Sequence, residues 1–198
     1  MEYIEKVLEK GIDIFIAKIR IDEEKMLEEI SLSSQEKMKY AEMTSKKRRQ
    51  EWLTCRVLLS NVLGKEFILE YQSNGKPYLL QPKKNISISH SKEYVAIAIA
   101  EKKIGIDIEK IDKRILKLKE KILNSREANR FVAADERVLH IIWGIKESVY
   151  KQQDEEINYL EDIEVKKIDE NTAEVQVKNH LQKVEFFEID NNMIIVSY

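Results

Sequence analysis

Between Ile104 and Glu109, three isoleucines alternate with Gly105, Asp107 and Glu109. Alternation at period 2 fits a strand and no helix, because successive strand side chains point to opposite faces. Such a strand sends Ile104, Ile106 and Ile108 into a core and leaves Asp107 and Glu109 together on the reverse face. Two carboxylates side by side on a largely buried strand repel each other and lose hydration, so they need a proton or a cation close by. An edge strand with a solvated acidic face satisfies the same pattern, and these residues alone leave both arrangements open.

The same alternation recurs upstream. Ile12 to Ile19 reads as a strand with Ile12, Ile14 and Ile16 on one face and Phe15, Ala17 and Ile19 on the other. Helical patterns follow at 22–30 and, after a cap at Ser33-Ser34-Gln35-Glu36, to about Met43. A longer helix is expected over 45–63, stopped by Gly64 and apolar through Trp52, Leu53, Leu59, Val62 and Leu63. Phe67 to Tyr71 is a strand, and Ser73-Asn74-Gly75-Lys76-Pro77 is a turn in which Asn-Gly supplies positive φ. Strands are expected at 86–89, 94–100 and 104–109, then helix in two or three pieces from 116 to 151. Short strands follow at 163–165, 173–177, 184–186 and 194–196. Helices clustered between groups of hairpin-like strands predict an α+β fold.

The tetrapeptide Gly11-Ile12-Asp13-Ile14 returns as Gly105-Ile106-Asp107-Ile108, 94 positions on (105 − 11). Chance explains four common residues, but the order of elements repeats with them. Two similar α+β halves are therefore expected, an N-terminal one over 1–100 and a C-terminal one over 101–198. With only five Gly and two Pro in 198 residues, no linker separates them, so they should form one compact unit.

Bulk properties exclude several function classes. A net charge of −2 gives no global basic field for nucleic acid or membrane, although Lys46-Lys47-Arg48-Arg49 is locally basic. The single Cys55 rules out an internal disulfide or a cysteine zinc site and reads as a packed thiol. MEYIEKVLEKG shows no secretory signal, and no apolar run approaches the ~18 residues of a membrane span, so a cytoplasmic location is expected.

Chemistry concentrates in three places. Trp143, Glu147 and Lys151 recur at i, i+4 and i+8 and share a helix face, with Lys146 and Tyr150 in the next row. A Glu–Lys pair at that spacing is ordinarily a surface salt bridge. Beside Asp107 and Glu109, Glu147 would instead complete an oxygen-rich site of the kind that holds magnesium, with Lys151 near a metal-bound phosphate. The second place is Ser87-Ile88-Ser89-His90-Ser91, whose serines share one strand face with His90 opposite. A nucleophilic triad there lacks the strand–elbow–helix turn; a structural histidine and a phosphate contact both remain open. His140 and His180 read as structural or exposed. The third place is the helix carrying Arg49 and Arg56, two turns apart on one face and solvated by default.

Taken together, Glu51-Trp52-Leu53-x-x-Arg56, Asn74-Gly75-Lys76-Pro77, Ile88-Ser89-His90-Ser91, Gly105-Ile106-Asp107-Ile108-Glu109 and Trp143-x-x-Lys146-Glu147-Ser148-x-x-Lys151 resemble the Sfp-type 4′-phosphopantetheinyl transferases in order and in gaps. The resemblance covers about 45–165. It implies a pseudo-twofold pair of α+β halves with a cleft between them. It also implies transfer of the 4′-phosphopantetheine of coenzyme A to a serine of an apo acyl or peptidyl carrier protein. That transfer is magnesium-dependent and releases adenosine 3′,5′-bisphosphate. By the same resemblance Asp107, Glu109 and Glu147 match the magnesium ligands, and Glu147 the general base. Lys151 matches the residue at the pyrophosphate, and Ser89 and His90 match phosphate contacts. Gly75, Lys76 and Pro77 match the wall at the adenine and 3′-phosphate, Arg56 meets the 3′-phosphate, and Glu127 stands near an acidic position behind the ligands. Catalysis is then expected from Glu147, Lys151 and Asp107, in a monomer that binds neither nucleic acid nor membrane. The alternative is a non-catalytic coenzyme A or nucleotide binder of the same fold. Two departures stand out: Ser87 where many relatives carry Asn, and Gly144 inside the motif helix, where Gly costs about 1 kcal/mol relative to Ala. Basic residues at 46–49 and at Arg114, Lys117, Lys119, Lys121, Arg126 and Arg130 are candidates for docking an acidic carrier.

Overall fold

The computed structural model of the chain describes residues 1–8 and 11–198. Strands β1 (Ile4–Leu8), β2 (Ile12–Lys18), β5 (Asn85–His90) and β6 (Tyr94–Ala100) form one sheet in the order β1-β2-β6-β5. Strands β7 (Gly105–Lys110), β8 (Ile163–Ile168), β9 (Thr172–Val177), β10 (His180–Ile189) and β11 (Asn192–Ser197) form a second, in the order β7-β11-β10-β9-β8. Between β2 and β5 come helices α1 (Glu23–Glu29), α2 (Ser34–Glu42) and α3 (Lys46–Leu63), then the hairpin β3 (Ile68–Tyr71) and β4 (Pro77–Gln81). Between β7 and β8 come a 3-10 helix (Lys113–Leu118), α4 (Lys119–Ile122), α5 (Ser125–Arg130) and α6 (Glu136–Gln152). The fold is α+β, as its alternating segments indicate.

Side-chain periodicity sets the layering. Ile12, Ile14 and Ile16 meet Ile106, Ile108 and Ile194 in an apolar layer between the two sheets. Phe15 and Ala17 turn the other way, onto Leu58 and Leu59 of α3. On the far side Ile141, Ile145 and Val149 of α6 pack on Val165, Val175 and Phe186 of the second sheet. The order is therefore α3, first sheet, second sheet, α6. Among the described residues no helix is long and apolar enough to cross a membrane.

The strand after each Gly-Ile-Asp-Ile pairs antiparallel with the strand that comes last in its sheet along the chain: Ile14 stands opposite Ala98, and Ile108 opposite Ile194. The first copy lies on β2, inside its sheet, and the second on β7, at an edge, and their glycines serve different ends. Gly11 has φ +69 and open space where a Cβ would point, so it is there to turn the chain. A Cβ on Gly105 would stand 1.8 Å from the Ser148 carbonyl oxygen, so this glycine is there to let α6 approach. Gly144 does the same from the helix side: its Cβ would lie 2.2 Å from Ile195 Cδ1. The helix-weakening residue of the motif thus gives Ile195 the space it fills.

Several elements differ from their sequence reading. Strand β1 is exposed over four of its five residues and so carries no apolar alternation to betray it. The helical stretch begins earlier than expected, at Lys113, and breaks at Leu123–Asn124 and again before Asp135, into the three pieces its pattern allows. Caps explain those restarts. Asn124 and Glu127 form a reciprocal capping box on α5, and the Asp135 carboxylate accepts from Val138 N at the start of α6. The predicted boxes elsewhere hold: Ser33 and Glu36 cap α2, and Gly64 ends α3 with φ +82.

Glu127 departs further from expectation. It is fully buried and accepts from Lys146 Nζ at 2.6 Å and from the backbone N–H of Asn124 and Val165 at 2.9 and 2.8 Å. These partners commit it to a buried ion pair that ties α5, α6 and β8 together, not to the carboxylates of β7. Two measurements test this packing. Gly105→Ala should lower the unfolding free energy by about 1–3 kcal/mol or more, read from urea denaturation, because the obstacle is backbone. Lys146→Met alone should cost about 3–5 kcal/mol by removing the cation from buried Glu127, and pairing it with Glu127→Gln, which is neutral and keeps an acceptor for the backbone N–H groups, should recover part of that loss.

Candidate active site

The seam between the sheets is made by hydroxyls. Strand β5 runs beside β7, and Ser87 Oγ accepts from Ile106 N at 3.0 Å while Ser89 Oγ accepts from Ile108 N at 3.4 Å. Ser91 Oγ continues the row by donating to Asn192 Oδ1 at 2.9 Å. The three serines face one way because strand side chains alternate, and Ile86 and Ile88 on the reverse face pack in the α3 core.

Asp107 sits at this seam, 3% exposed. Its Oδ1 accepts from Lys151 Nζ at 2.7 Å and from Ser89 Oγ at 2.9 Å, whereas its Oδ2 is buried and has no donor. That oxygen lies on the side where Gly144 leaves room, 3.5 Å from the position of an added Cβ. The other two carboxylates feel Asp107. Burial, and then the Asp107 charge, push Glu109 up to about 7, against a hydrogen bond from Trp143 Nε1 at 3.4 Å. Burial and Asp107 also raise Glu147, which Lys151 and the Tyr159 phenol pull the other way.

As arranged, no three acidic, histidine or cysteine side chains among the described residues form a ready cluster for a metal ion. Lys151 is docked on Asp107 at 2.7 Å, with Ser89 Oγ and the Ile106 carbonyl oxygen each at 3.1 Å. Its ammonium stands in for a cation at Oδ1. An orphaned carboxylate oxygen and two neighbouring carboxyls with raised proton affinity make a donor set that suits a hard divalent cation.

Two cavities open on one side of this cluster and share Gly75, Pro77 and Ile88. One, of about 390 Å³, is lined by Lys39, Arg48, Trp52, Arg56, Tyr71 and His90. Arg56 is 2% exposed, not solvated: its guanidinium lies 4.5 Å over the Trp52 ring, Nε donates to Glu36 at 2.8 Å, and one terminal NH2 donates to the Tyr71 hydroxyl at 3.3 Å. The other terminal nitrogen, Nη1, is buried with no acceptor. Burial, then Arg56, lowers Lys39, and partial burial together with Arg48 and Lys151 lowers His90 against the pull of Glu51. Crowded cations with an unused donor make this an anion pocket.

The second cavity, of about 480 Å³, runs from Asn74–Pro77 and Ser87 to Tyr150 and Lys151. Gly75 has the positive φ its turn needs (+84). Lys76 lines this space with its ammonium on Asp154 at 2.7 Å and on the carbonyls of Gln152 and Gln153, at the C-terminal end of α6. On the other side of the carboxylates a third cavity, of about 470 Å³, has an apolar wall of Ile115, Leu118, Ile122 and Trp143.

Other expectations resolve as follows. Arg49 does not share the Arg56 cavity, because Glu23 and the Met43 carbonyl hold its guanidinium at 2.8 and 2.9 Å. Cys55 is buried, as its apolar helix face suggests. His140 is buried with its Nε2 on the Asp112 backbone, and His180 is exposed. Of the basic docking candidates, Arg114 pairs with Asp112 while Arg126 and Arg130 pair with Glu164. Lys39, Tyr71 and Tyr159 escaped the sequence reading. The first sits on a helix that buries nothing, and neither tyrosine belongs to a spaced motif.

The raised Glu109 carboxyl has a stability consequence. Its folded value lies above the ordinary 4.5, so the folded state holds the proton more tightly and loses stability as pH climbs from about 4.5 to about 7. Glu109→Gln, which mimics the protonated form, should gain melting temperature over the parent across that window in metal-free buffer and match it below. Melting curves that stay parallel throughout would contradict this.

Comparison with known proteins agrees with the motif pattern. Residues 103–193 match the model of the 4′-phosphopantetheinyl transferase superfamily. Over 99 residues the chain is 29% identical to the 4′-phosphopantetheinyl transferase psf-1 of Bacillus pumilus, an alignment covering 48% of this chain and 42% of that relative. The chain thus spans less than half the length of the relative it matches. The resemblance read from the motifs is borne out: the part of the chain that carries β7, α6 and the three carboxylates is similar to the 4′-phosphopantetheinyl transferase superfamily.

Proposed function

We propose that this protein transfers the 4′-phosphopantetheine of coenzyme A to a serine hydroxyl of an apo acyl or peptidyl carrier protein. The observation that carries this reading is one alignment of features. The anion pocket ending in the unused Arg56 Nη1, the cluster Asp107–Glu109–Glu147–Lys151, and an apolar cavity follow one another across the seam. Coenzyme A has the same order: 3′-phosphate, pyrophosphate, neutral arm.

Magnesium, when bound to Asp107, Glu109 and Glu147, supplies positive charge to pyrophosphate oxygens. Arg56, Arg48 and Lys39 bind the 3′-phosphate, with Gly75 and Pro77 as the wall that lets the nucleotide approach. Lys151, with His90 and Ser89 beside it, supplies charge at the pyrophosphate, and Lys76 supports that wall through α6. The serine hydroxyl is a weak nucleophile, and Glu147 accepts its proton as oxygen attacks the phosphorus bearing the pantetheine. The phosphorus–oxygen bond toward adenosine breaks, and adenosine 3′,5′-bisphosphate leaves. Burial favours protonation of Glu147, which suits a base working near neutral pH.

We assign the carrier to the 3-10 and α4 region. Leu116 and Leu118 are 43% and 46% exposed there beside Lys117 and Lys121, a mixed apolar and basic face for an acidic partner. The same reading makes the chain a cytoplasmic monomer built from the halves 1–100 and 101–198. The docking of Lys151 on Asp107 favours one alternative, a non-catalytic coenzyme A or nucleotide binder. That protein would bind coenzyme A calorimetrically and load no carrier.

The test is a mass-shift assay against a panel of apo carriers, with coenzyme A and with or without magnesium. We expect magnesium-dependent loading, and Glu147→Gln should reduce it by about 10²–10⁴-fold with folding intact. Failure to load any carrier overturns the transferase reading.

A further inference from the structure

We propose that Ser89 is a positioning residue that fixes which oxygen of Asp107 faces a bound cation, rather than a contact to phosphate; the role of that cation rests on the transferase reading above. The geometry is the hydrogen-bond set of one hydroxyl. Ser89 Oγ donates to Asp107 Oδ1 at 2.9 Å and accepts from Lys151 Nζ at 3.1 Å and from Ile108 N at 3.4 Å. A serine hydroxyl has one proton to give and two lone pairs, so all three places are taken. To donate to a phosphate oxygen it would have to release Asp107.

Burial agrees. Ser89 is 7% exposed, on the face of β5 that bonds to β7. Its neighbours along the strand open onto the three cavities: Ser87 onto that of about 480 Å³, His90 onto that of about 390 Å³, and Ser91 onto that of about 470 Å³. Ser89 is not among the described residues that line any of these three. A phosphate in the anion pocket meets His90, which lies on the opposite face of the strand.

What the hydroxyl holds is the aim of Asp107. A carboxyl group turns about a broad terminal torsion and can present either oxygen. Here Oδ1 is engaged by Ser89 and Lys151, and Oδ2 is buried without a donor. Lys151 alone cannot keep that assignment during turnover. Its ammonium sits on four flexible carbons and is the group expected to follow the pyrophosphate. Ser89, in contrast, belongs to a strand paired with β6 and bonded to the backbone of β7. With Lys151 drawn away, the Ser89 bond still marks Oδ1 as the inner oxygen and leaves Oδ2 to a divalent cation. Removing such a partner from behind a metal ligand typically weakens metal binding about 10–100-fold.

Two alanine variants separate this role from packing at the seam. Ser89→Ala and Ser87→Ala each remove a hydroxyl that accepts from a β7 N–H, at 3.4 and 3.0 Å, but only the first removes the bond to Asp107. Magnesium is titrated calorimetrically into each protein, with and without coenzyme A. We expect Ser89→Ala to bind magnesium about 10–100-fold more weakly and to lose kcat, with KM for coenzyme A unchanged at saturating magnesium. Ser87→Ala should lose at least as much melting temperature and keep the parental magnesium affinity. Parental magnesium affinity in Ser89→Ala, or an equal loss in Ser87→Ala, overturns the proposal. So does a raised KM with kcat retained, the signature of a lost phosphate contact. If the parent loads no carrier while Ser89→Ala alone weakens magnesium binding, the transferase reading fails and the positioning role stands. A parent that binds no magnesium in either state overturns the positioning role, whether or not it loads carriers.

Discussion

Helix α6 lies against β7 at a spacing that two missing side chains permit, Gly105 beneath the Ser148 carbonyl and Gly144 beneath Ile195. The Ser148 carbonyl is backbone and cannot yield by the distance a methyl group would need, whereas at Gly144 the Ile195 side chain would have to repack. That closeness brings Glu147 and Lys151, which belong to the helix, into the electrostatic field of Asp107, which belongs to the strand. It also buries Asp107 deeply enough that one oxygen loses water and gains no donor. The site's charge imbalance is thus a product of the helix–strand contact, and it would relax if the two elements stood even slightly apart.

Stability and function are divided between adjacent residues of one helix. Lys146, fully buried, faces Glu127 and the Ile122 carbonyl and binds the helix to α4, α5 and, through Glu127, β8. Glu147, the next residue, turns toward the cleft. A hundred degrees of helical rotation separates an ion pair satisfied on every side from a carboxylate raised by burial and by Asp107. The satisfied pair fixes the helix's rotation about its own axis, and so the aim of the reactive row.

Much of this was legible in the sequence, for reasons that can be named. The faces of β2 and β7 follow from strict alternation, and the row Trp143–Glu147–Lys151 follows from helical spacing; both periodicities are local. Gly105 and Gly144 were legible as letters and not as causes, because what excludes a Cβ lies far away in sequence. Arg56 looked solvated for the same reason: Glu36, Trp52 and Tyr71 enclose it, and two of them arrive from other elements. Lys76 and Lys151 stand out in the sequence as cations within the motifs. Their partners, the end of α6 for one and Asp107 for the other, depend on which distant elements the fold brings together. Tyr159 carried no spacing signal, since a loop residue acquires its neighbours only from the fold.

The hydroxyl row on β5 has one more implication. Where two strands are joined by backbone pairing, a slip by one residue changes the partners but preserves the bonds. Here the bonds to Ile106 N, Ile108 N and Asn192 come from Ser87, Ser89 and Ser91, and the residues between them are apolar or aromatic. A slip by one would present Ile86, Ile88 and His90 to β7 and remove every oxygen from the seam at once. The fit of β5 on β7 therefore excludes every odd slip outright, and a slip by two, which would bring Ser89 and Ser91 to the places of Ser87 and Ser89, forfeits the bond to Asn192.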